Sequence, residues 1–233
     1  MRRLGSHRWV VWLSLASLPL LQTISNGQAF VNLDFELANV PPTPVGQLGS
    51  FVDPSLAFPG WTITNPSPTA STATFYNDLS LGSAAVCLIG PDFPNYWGYT
   101  PLQGSYSVLL MTFSNTVDSF PILSQTGLVP ANARSINFLV GPTQTNAVVT
   151  LGGVNIPLVP IAGGRLAGDV SAFAGDVETL TFSAPMVSRD LTTLYFDDIV
   201  FSQMSVPEPS TTALVGLGLL GLIGFLRHHP SMP

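Results

Sequence analysis

Lysine is absent from the chain, and histidine is absent from residues 30–205, which make up most of the protein. The three histidines, His7, His228 and His229, lie close to the two termini. A Ser/His/Asp or Cys/His catalytic set needs an imidazole, and so does a His-ligated zinc or iron site. The central segment is therefore expected to contain none of these.

Positive charge is also scarce in this segment, which has twelve acidic residues and only three arginines. Nucleic acid is excluded as a partner because phosphate binding needs clustered Lys and Arg. A pair of carboxylates is the one acid/base set that this composition leaves open. Glycoside hydrolysis uses such a pair without histidine.

Cysteine occurs once, as Cys87, so the chain cannot form an internal disulfide. The surrounding sequence, AAVCLIG, is typical of a buried strand. No basic residue stands beside Cys87 in the sequence to lower the pKa of its thiol. We therefore expect a buried, unreactive thiol.

The N-terminus has the order of a secretory signal peptide. Arg2, Arg3 and Arg8 precede the apolar run 9–21, and a small-residue site follows it. The run is shorter than the roughly 20 residues that a membrane span needs, which argues against the alternative of an anchor. This pattern predicts a signal peptide over residues 1–29, cut after Ala29, and an exported protein.

Residues 30–205 have the length of one ordinary domain, and their periodicity predicts strands with almost no helix. Ten short β-rich runs are separated by Gly, Pro, Asn and Ser: 30–36, 61–64, 72–76, 84–89, 105–113, 134–140, 146–151, 154–161, 177–183 and 193–201. The fold class is therefore expected to be all-β, an antiparallel two-sheet sandwich of jelly-roll type. The N-terminal signal helix and a single C-terminal hydrophobic helix flank it.

Local signals refine this expectation. Gly152 and Gly153 predict a tight hairpin, and Pro157 and Pro160 place their run at a sheet edge. The Pro-rich stretch 38–70 is expected to be a long surface loop, from which the run starting at Trp61 enters the core.

The last segment, residues 206–233, is more apolar than the rest of the chain. Residues 211–226 carry no charge and would form a helix of about 24 Å, which can insert into the roughly 30 Å hydrocarbon core with local thinning. Pro207, Glu208 and Pro209 come just before it. Flanking prolines hold a segment extended, as recognition by a processing enzyme requires.

This tail resembles the PEP-CTERM sorting signal of Gram-negative and related bacteria: a Val-Pro-Glu-Pro-Ser stretch at 206–210, a short Gly/Leu helix and the basic end at Arg227. The resemblance implies that a membrane-embedded exosortase recognises Pro207, Glu208 and Pro209. It further implies delivery to the cell surface or the exopolysaccharide matrix. A plain C-terminal membrane anchor is the alternative.

The two ends of the central segment resemble those of galactose-binding-like jelly-roll domains, which include many carbohydrate-binding modules. The resemblance is carried by VNLDFELANV from residue 31, by PGW at 59–61 and by LYFDDIVF from residue 194. It implies a structural calcium where the first and last strands meet.

Acidic residues are available for such a calcium. Asp34 and Glu36 would share one face of a strand. Adjacent Asp197 and Asp198 point to opposite faces, so only one of them can join the site, and Asp198 is the predicted third ligand. The same alternation argues against these two as an acid/base pair. The alternative is that the acidic residues lie on solvated faces or cap turns.

Four aromatic residues crowd into the Pro- and Gly-rich stretch 90–100: Phe93, Tyr96, Trp97 and Tyr99. Rings stack on the C–H faces of sugars while neighbouring polar groups bind the hydroxyls, so this stretch is a candidate carbohydrate site. The alternative is that the rings form a small satellite core.

Together these features predict an exported, non-catalytic protein of the bacterial surface or exopolysaccharide matrix, either carbohydrate-binding or structural. Its expected partners are an exosortase, the membrane through the tail and extracellular polysaccharide. The alternatives are a small carboxylate-dependent glycoside hydrolase and a coat protein that binds only itself.

Overall fold

The computed structural model describes residues 27–44, 47–80, 82–94, 98–112, 119–141, 147–185 and 191–206. Most of the predicted signal peptide, the residues Pro207, Glu208 and Pro209, and the predicted helix 211–226 lie outside these ranges. Within them, no helix is long and apolar enough to cross a membrane. We refer to residues 27–206 as the body.

The described part of the body forms two sheets, with strands numbered in chain order. The larger sheet has the spatial order β1 (Ser50–Phe51), β3 (Ala73–Tyr76), β4 (Ala85–Ile89), β5 (Ser107–Thr112), β13 (Thr192–Ser202), β7 (Ser135–Val140), β11 (Arg165–Asp169) and β10 (Val159–Ile161). The smaller sheet has the order β2 (Thr62–Thr64), β6 (Ile122–Leu128), β12 (Val177–Ser183), β8 (Val148–Leu151) and β9 (Val154–Asn155). A short helix α1 (Pro54–Ala57) and a 3-10 turn (Ser171–Phe173) complete the described elements. The predicted all-β, two-sheet sandwich is confirmed. Among the described strand pairs one is parallel, β3 with β4, and the isolated bridge between Ala29 and Leu128 is parallel as well.

Aromatic rings from both sheets fill the space between them. Phe182 of β12 stacks on Phe196 of β13 with ring centroids 4.5 Å apart. Phe138 of β7 meets both rings edge-on, at 5.2 and 6.1 Å. Trp61, which the sequence predicts to be inside, packs edge-on against Phe182 at 6.2 Å and is only 7% exposed. The sheets are therefore joined by directional ring contacts as well as by buried apolar area.

A second apolar cluster lies on the other face of the larger sheet. Strand β4 contributes Val86 and Leu88 to the core between the sheets, and Ala85, Cys87 and Ile89 to this second cluster. Strands β4 and β5 are thus buried on both faces, which explains why AAVCLI is continuously apolar instead of alternating.

The predicted burial of Cys87 is confirmed, since its side chain is fully buried and its Sγ lies 3.8 Å from Met111 Sδ. Burial raises the pKa of the thiol well above its usual range. We expect a thiol reagent to leave the native protein unlabelled and to react fully in denaturant. Mass spectrometry measures the labelling, and fast labelling of Cys87 under native conditions would contradict this prediction.

Residues 30–36 do not form the predicted strand. The chain turns at residues 33–37, with Asn32 at φ 52° and Phe35 at φ 59°. The Asn32 side chain stabilises this turn by accepting the Leu37 N–H and donating to the Pro59 carbonyl. The turn places the Phe35 ring in the core against Phe196, at 5.7 Å. The strand prediction is wrong because Asn32 adopts the left-handed backbone conformation, and hydrogen bonds to its side-chain oxygen and from its side-chain nitrogen stabilise the turn.

Two further expectations change in detail. The stretch 38–70 is not a plain loop, because it contains β1 and α1 as well as β2, and Asp53 caps α1 by accepting the Ser55 N–H at 2.8 Å. The run 154–161 is divided between the sheets, since β9 ends the smaller sheet and β10 ends the larger one. Both strands lie at edges, as Pro157 and Pro160 predict, and the Gly152–Gly153 hairpin is confirmed.

Candidate functional site

Asp197 is a buried carboxylate that contacts the loop before β5 and lies near Glu36. It belongs to β13, is 1% exposed, and its Oδ2 accepts the Ser107 hydroxyl at 2.7 Å and the Gln103 N–H at 3.1 Å. Its Oδ1 accepts the N–H of Asp198 at 2.6 Å. These donors fix the carboxylate and, through it, the loop before β5.

Glu36 holds the same loop from the other side. Its Oε1 accepts the N–H groups of Ser105 and Tyr106, at 2.8 and 3.0 Å. Gly104, between the points held by the two acidic residues, has φ 57°, and a Cβ there would lie 2.3 Å from Glu36 Oε1. The loop therefore needs glycine at this position, and the two carboxylates act as its structural clamps.

Asp198 faces a different partner, because β13 has a register shift between Asp197 and Val200 and Asp198 itself has φ 47°. Its Oδ2 lies 2.7 Å from Arg165 Nη1, and its carbonyl accepts from Arg165 Nη2 at 2.5 Å. Arg165 Nε also donates to Asn137 Oδ1 at 2.6 Å. One guanidinium therefore ties β7, β11 and β13 together at the bulge.

The predicted calcium ligands are not assembled by this geometry. Asp34 and Glu36 lie on a turn rather than on one strand face, while Asp198 is paired with Arg165. No cluster of three or more His, Cys, Asp or Glu side chains suited to a metal occurs among the described residues. The three acidic residues do not fit a shared calcium site as they stand, and calcium binding stays a prediction for chelation to test.

Burial raises the pKa of Asp197 from about 3.8 to about 7, against the opposing effect of its hydrogen bonds and with a contribution from nearby Glu36. Because the folded protein binds this proton more tightly than the unfolded chain does, its stability decreases as pH rises between these two pKa values. We expect the free energy of unfolding to fall as pH rises from about 4 to 7, by up to about 1.4 kcal/mol per pH unit from this group. Urea titrations at several pH values measure this slope.

The control for that slope is Asp197→Asn, which should flatten it. The pKa values of Asp53 and Asp169 are lowered by hydrogen bonds from Ser55 and Ser171. These two carboxyls therefore affect stability below about pH 4, outside the pH range of this measurement. An identical slope in the wild type and Asp197→Asn would show that this carboxyl is not the cause.

The aromatic stretch 90–100 is described only in part, since Tyr96 and Trp97 lie outside the described residues. Phe93 is 5% exposed and meets the half-buried Tyr99 edge-on at 5.9 Å. Tyr99 in turn packs on Tyr195 at 5.2 Å, and the Tyr195 hydroxyl donates to the Thr100 carbonyl. Phe93 and Tyr99 thus cover the second apolar cluster, and sugar recognition by this stretch stays a prediction.

An exposed ring that the sequence patterns did not single out lies at the edge of the larger sheet. Phe51 of β1 is 73% exposed and borders a groove of about 280 Å³. The segments 41–44 and 48–52 and the side of Tyr76 line this groove, and none of its ten lining residues is charged. The sequence did contain a signal for this exposed ring, because Phe51 stands in a Pro-, Gly- and Ser-rich stretch without apolar residues at strand or helix spacing around it.

The C-terminal end of β13 leads directly into the tail. Ser135 Oγ donates to the Met204 carbonyl at 2.7 Å, so the chain is held to the body two residues after the strand ends. Residues 205–227 match the PEP-CTERM protein-sorting motif. The PEP-CTERM motif thus begins where the fold ends, and the predicted resemblance of the tail is confirmed. It indicates an exported protein sorted by an exosortase-type enzyme.

Solved structures similar to this chain have low identity to it. A Stig cyclase from Fischerella sp. TAU has a TM-score of 0.46 and 12% identity over 74% of this chain and 94% of its own. An apo-form cyclase from Fischerella sp. has a TM-score of 0.45 and 12% identity over 74% and 93%. The enzymatically active domain of Bacteriophage CBA120 tailspike protein 4 has a TM-score of 0.35 and 17% identity over 61% of this chain and 19% of its own. No curated protein sequence matches the chain.

Proposed function

We propose that this protein is a non-catalytic component of the bacterial surface or exopolysaccharide matrix, and that its body binds polysaccharide there. The observation that carries the proposal is the PEP-CTERM motif at 205–227, placed directly after the last strand of a β-sandwich. A protein sorted in this way is delivered with its folded body outside the membrane, where polysaccharide is the surrounding polymer.

The surroundings of Glu36, Asp197 and Asp198 argue against a catalytic role for these three residues. Glu36 Oε1 accepts the N–H groups of Ser105 and Tyr106. The Asp197 oxygens accept hydrogen bonds from Gln103, Ser107 and Asp198. Asp198 Oδ2 pairs with Arg165. A hydrolase needs one carboxyl as acid and another free to face the substrate. These three groups are held as structural ligands of the protein itself.

Affinity electrophoresis of the body through gels that contain soluble polysaccharides tests the proposal. We expect at least one polysaccharide to slow the body relative to a non-binding reference protein. Melting temperatures measured with calcium and with chelator test the predicted structural calcium, and an unchanged melting temperature would contradict it. The body contains both sheets and both apolar clusters, so it carries the core of the fold.

Three other outcomes would replace the proposal. Absence of retardation by every polysaccharide, with the body folded, would favour a purely structural protein. Concentration-dependent assembly in sedimentation would then identify a self-associating coat protein. Release of reducing ends from a polysaccharide would instead identify a glycoside hydrolase.

A further inference from the structure

The groove beside Phe51 has the form of a prepared binding surface. The Phe51 ring rests on the Phe75 ring, with centroids 4.5 Å apart and planes inclined by 34°, so one face is supported and the side chain is still 73% exposed. Most of the apolar surface of this ring therefore lies in water, where a ligand could cover it. The supported ring loses little conformational freedom when a ligand stacks on it.

The backbone around Phe51 is fixed on both sides. Gly49 N–H donates to the Asn77 carbonyl at 2.7 Å, and Val52 N–H donates to the Thr74 carbonyl at 3.0 Å. A Cβ on Gly49 would lie 1.8 Å from the Tyr76 carbonyl oxygen, so only glycine allows this close approach. The ring is therefore displayed from a rigid edge strand, not from a free loop.

The chemistry of the groove favours an uncharged, hydroxyl-rich ligand. Its exposed prolines, Pro41, Pro42 and Pro44, have carbonyl acceptors but no N–H donors, and the Pro44 carbonyl already accepts the Gln47 N–H. Ser50, also exposed, supplies a hydroxyl at the edge strand. Sugar hydroxyls donate to such carbonyls, while the ring and the proline C–H surfaces pack against sugar C–H faces. No lining side chain offers a charge to a phosphate, a carboxylate or a cation.

We propose that this groove binds a short segment of a neutral polysaccharide, with Phe51 as the stacking ring. Its volume of about 280 Å³ is close to the lower limit of about 300 Å³ for ligand pockets, which suits one or two sugar units rather than a long chain. The inference deepens the proposed function, on which it rests, by placing the polysaccharide at β1 and away from the aromatic stretch 90–100.

The test compares variants of the full chain, kept soluble in a neutral detergent, by affinity electrophoresis through a neutral polysaccharide. We expect Phe51→Ala to weaken binding about tenfold or more, the equivalent of losing one buried aromatic contact. Trp97→Ala should bind within about twofold of wild type. Phe51→Tyr should retain binding because it keeps the ring. Val154→Ala, which truncates a 54% exposed side chain on β9, is the matched surface control.

Each outcome bears on the proposal. Unchanged binding by Phe51→Ala while the wild type is retarded would overturn this site and leave polysaccharide binding intact. Loss of binding in Trp97→Ala alone would place the ligand in the stretch 90–100 and also overturn it. Equal binding of charged and neutral polysaccharides would overturn the ligand class. If Phe51→Ala lowers the melting temperature, Phe51→Leu, which keeps apolar contact with Phe75 but lacks the flat ring, decides between stacking and folding. A wild type that no polysaccharide retards would overturn both this site and the proposed function.

Discussion

Replacing Pro207, Glu208 and Pro209 together with alanine is expected to keep the full-length protein in the membrane fraction and to abolish its release. The three residues lie inside the matched sorting motif, at 205–227. Alanine removes the carboxylate of Glu208 and the two rings that hold it extended, so an exosortase loses both the charge and the shape that it would recognise. The last described strand, β13, ends at Ser202, before these residues, so the body is expected to remain folded.

Immunoblots of membrane and extracellular fractions measure this effect, with the wild type expected mostly in the extracellular fraction. The matched control replaces Pro230 and Pro233, which lie beyond the motif, and should be processed normally. Release of the triple variant at the wild-type level would show that the motif is not read, and would favour a plain membrane anchor.

Truncation of Phe182 to alanine is expected to lower the free energy of unfolding by about 3–5 kcal/mol. Phe182 is fully buried, stacks on Phe196 across the two sheets and also meets Phe138 and Trp61. Its removal leaves a cavity between sheets whose backbone cannot close it. For a domain of this size, the melting temperature should fall by about 6–20 °C.

Two controls separate packing from general damage. Phe182→Leu keeps most of the volume and should cost roughly half as much. Val154→Ala, at an exposed position of β9, should change stability by less than about 0.5 kcal/mol. A cost below about 1 kcal/mol for Phe182→Ala would contradict the packing of the sheets described above.

Strands with continuous or strictly alternating apolar residues were predictable, whereas strands with inward polar groups were not. Strand β6 was missed because Gln125 occupies one of its inward positions, where its amide bonds to both the N–H and the carbonyl of Val31. Strand β11 was missed because its short run begins at Arg165, whose guanidinium is held by Asn137 and by the bulge at Asp198. In each case tertiary hydrogen bonds satisfy a polar side chain within a strand, at a position that local patterns assign to a loop.

The candidate sites differ in the same way. The sorting motif was predictable because its recognised residues are contiguous, and a linear signal needs no fold. The acidic residues were noticed, but the turn at Asn32 and the bulge at Asp198 redirect them to a loop and an arginine. Phe51 was missed because its exposure depends on how segment 41–44 lies against the edge strand β1. The spacing of apolar residues in the sequence does not show this arrangement.

The most direct test of the central claim is the location of the protein in the bacterium that makes it, measured by immunoblotting of the extracellular polysaccharide fraction. We expect most of the protein in this fraction, and its release as soluble protein when a polysaccharide-degrading enzyme digests the matrix. Protein that remains in the envelope, or that stays unbound in the medium while the matrix is intact, would contradict the account.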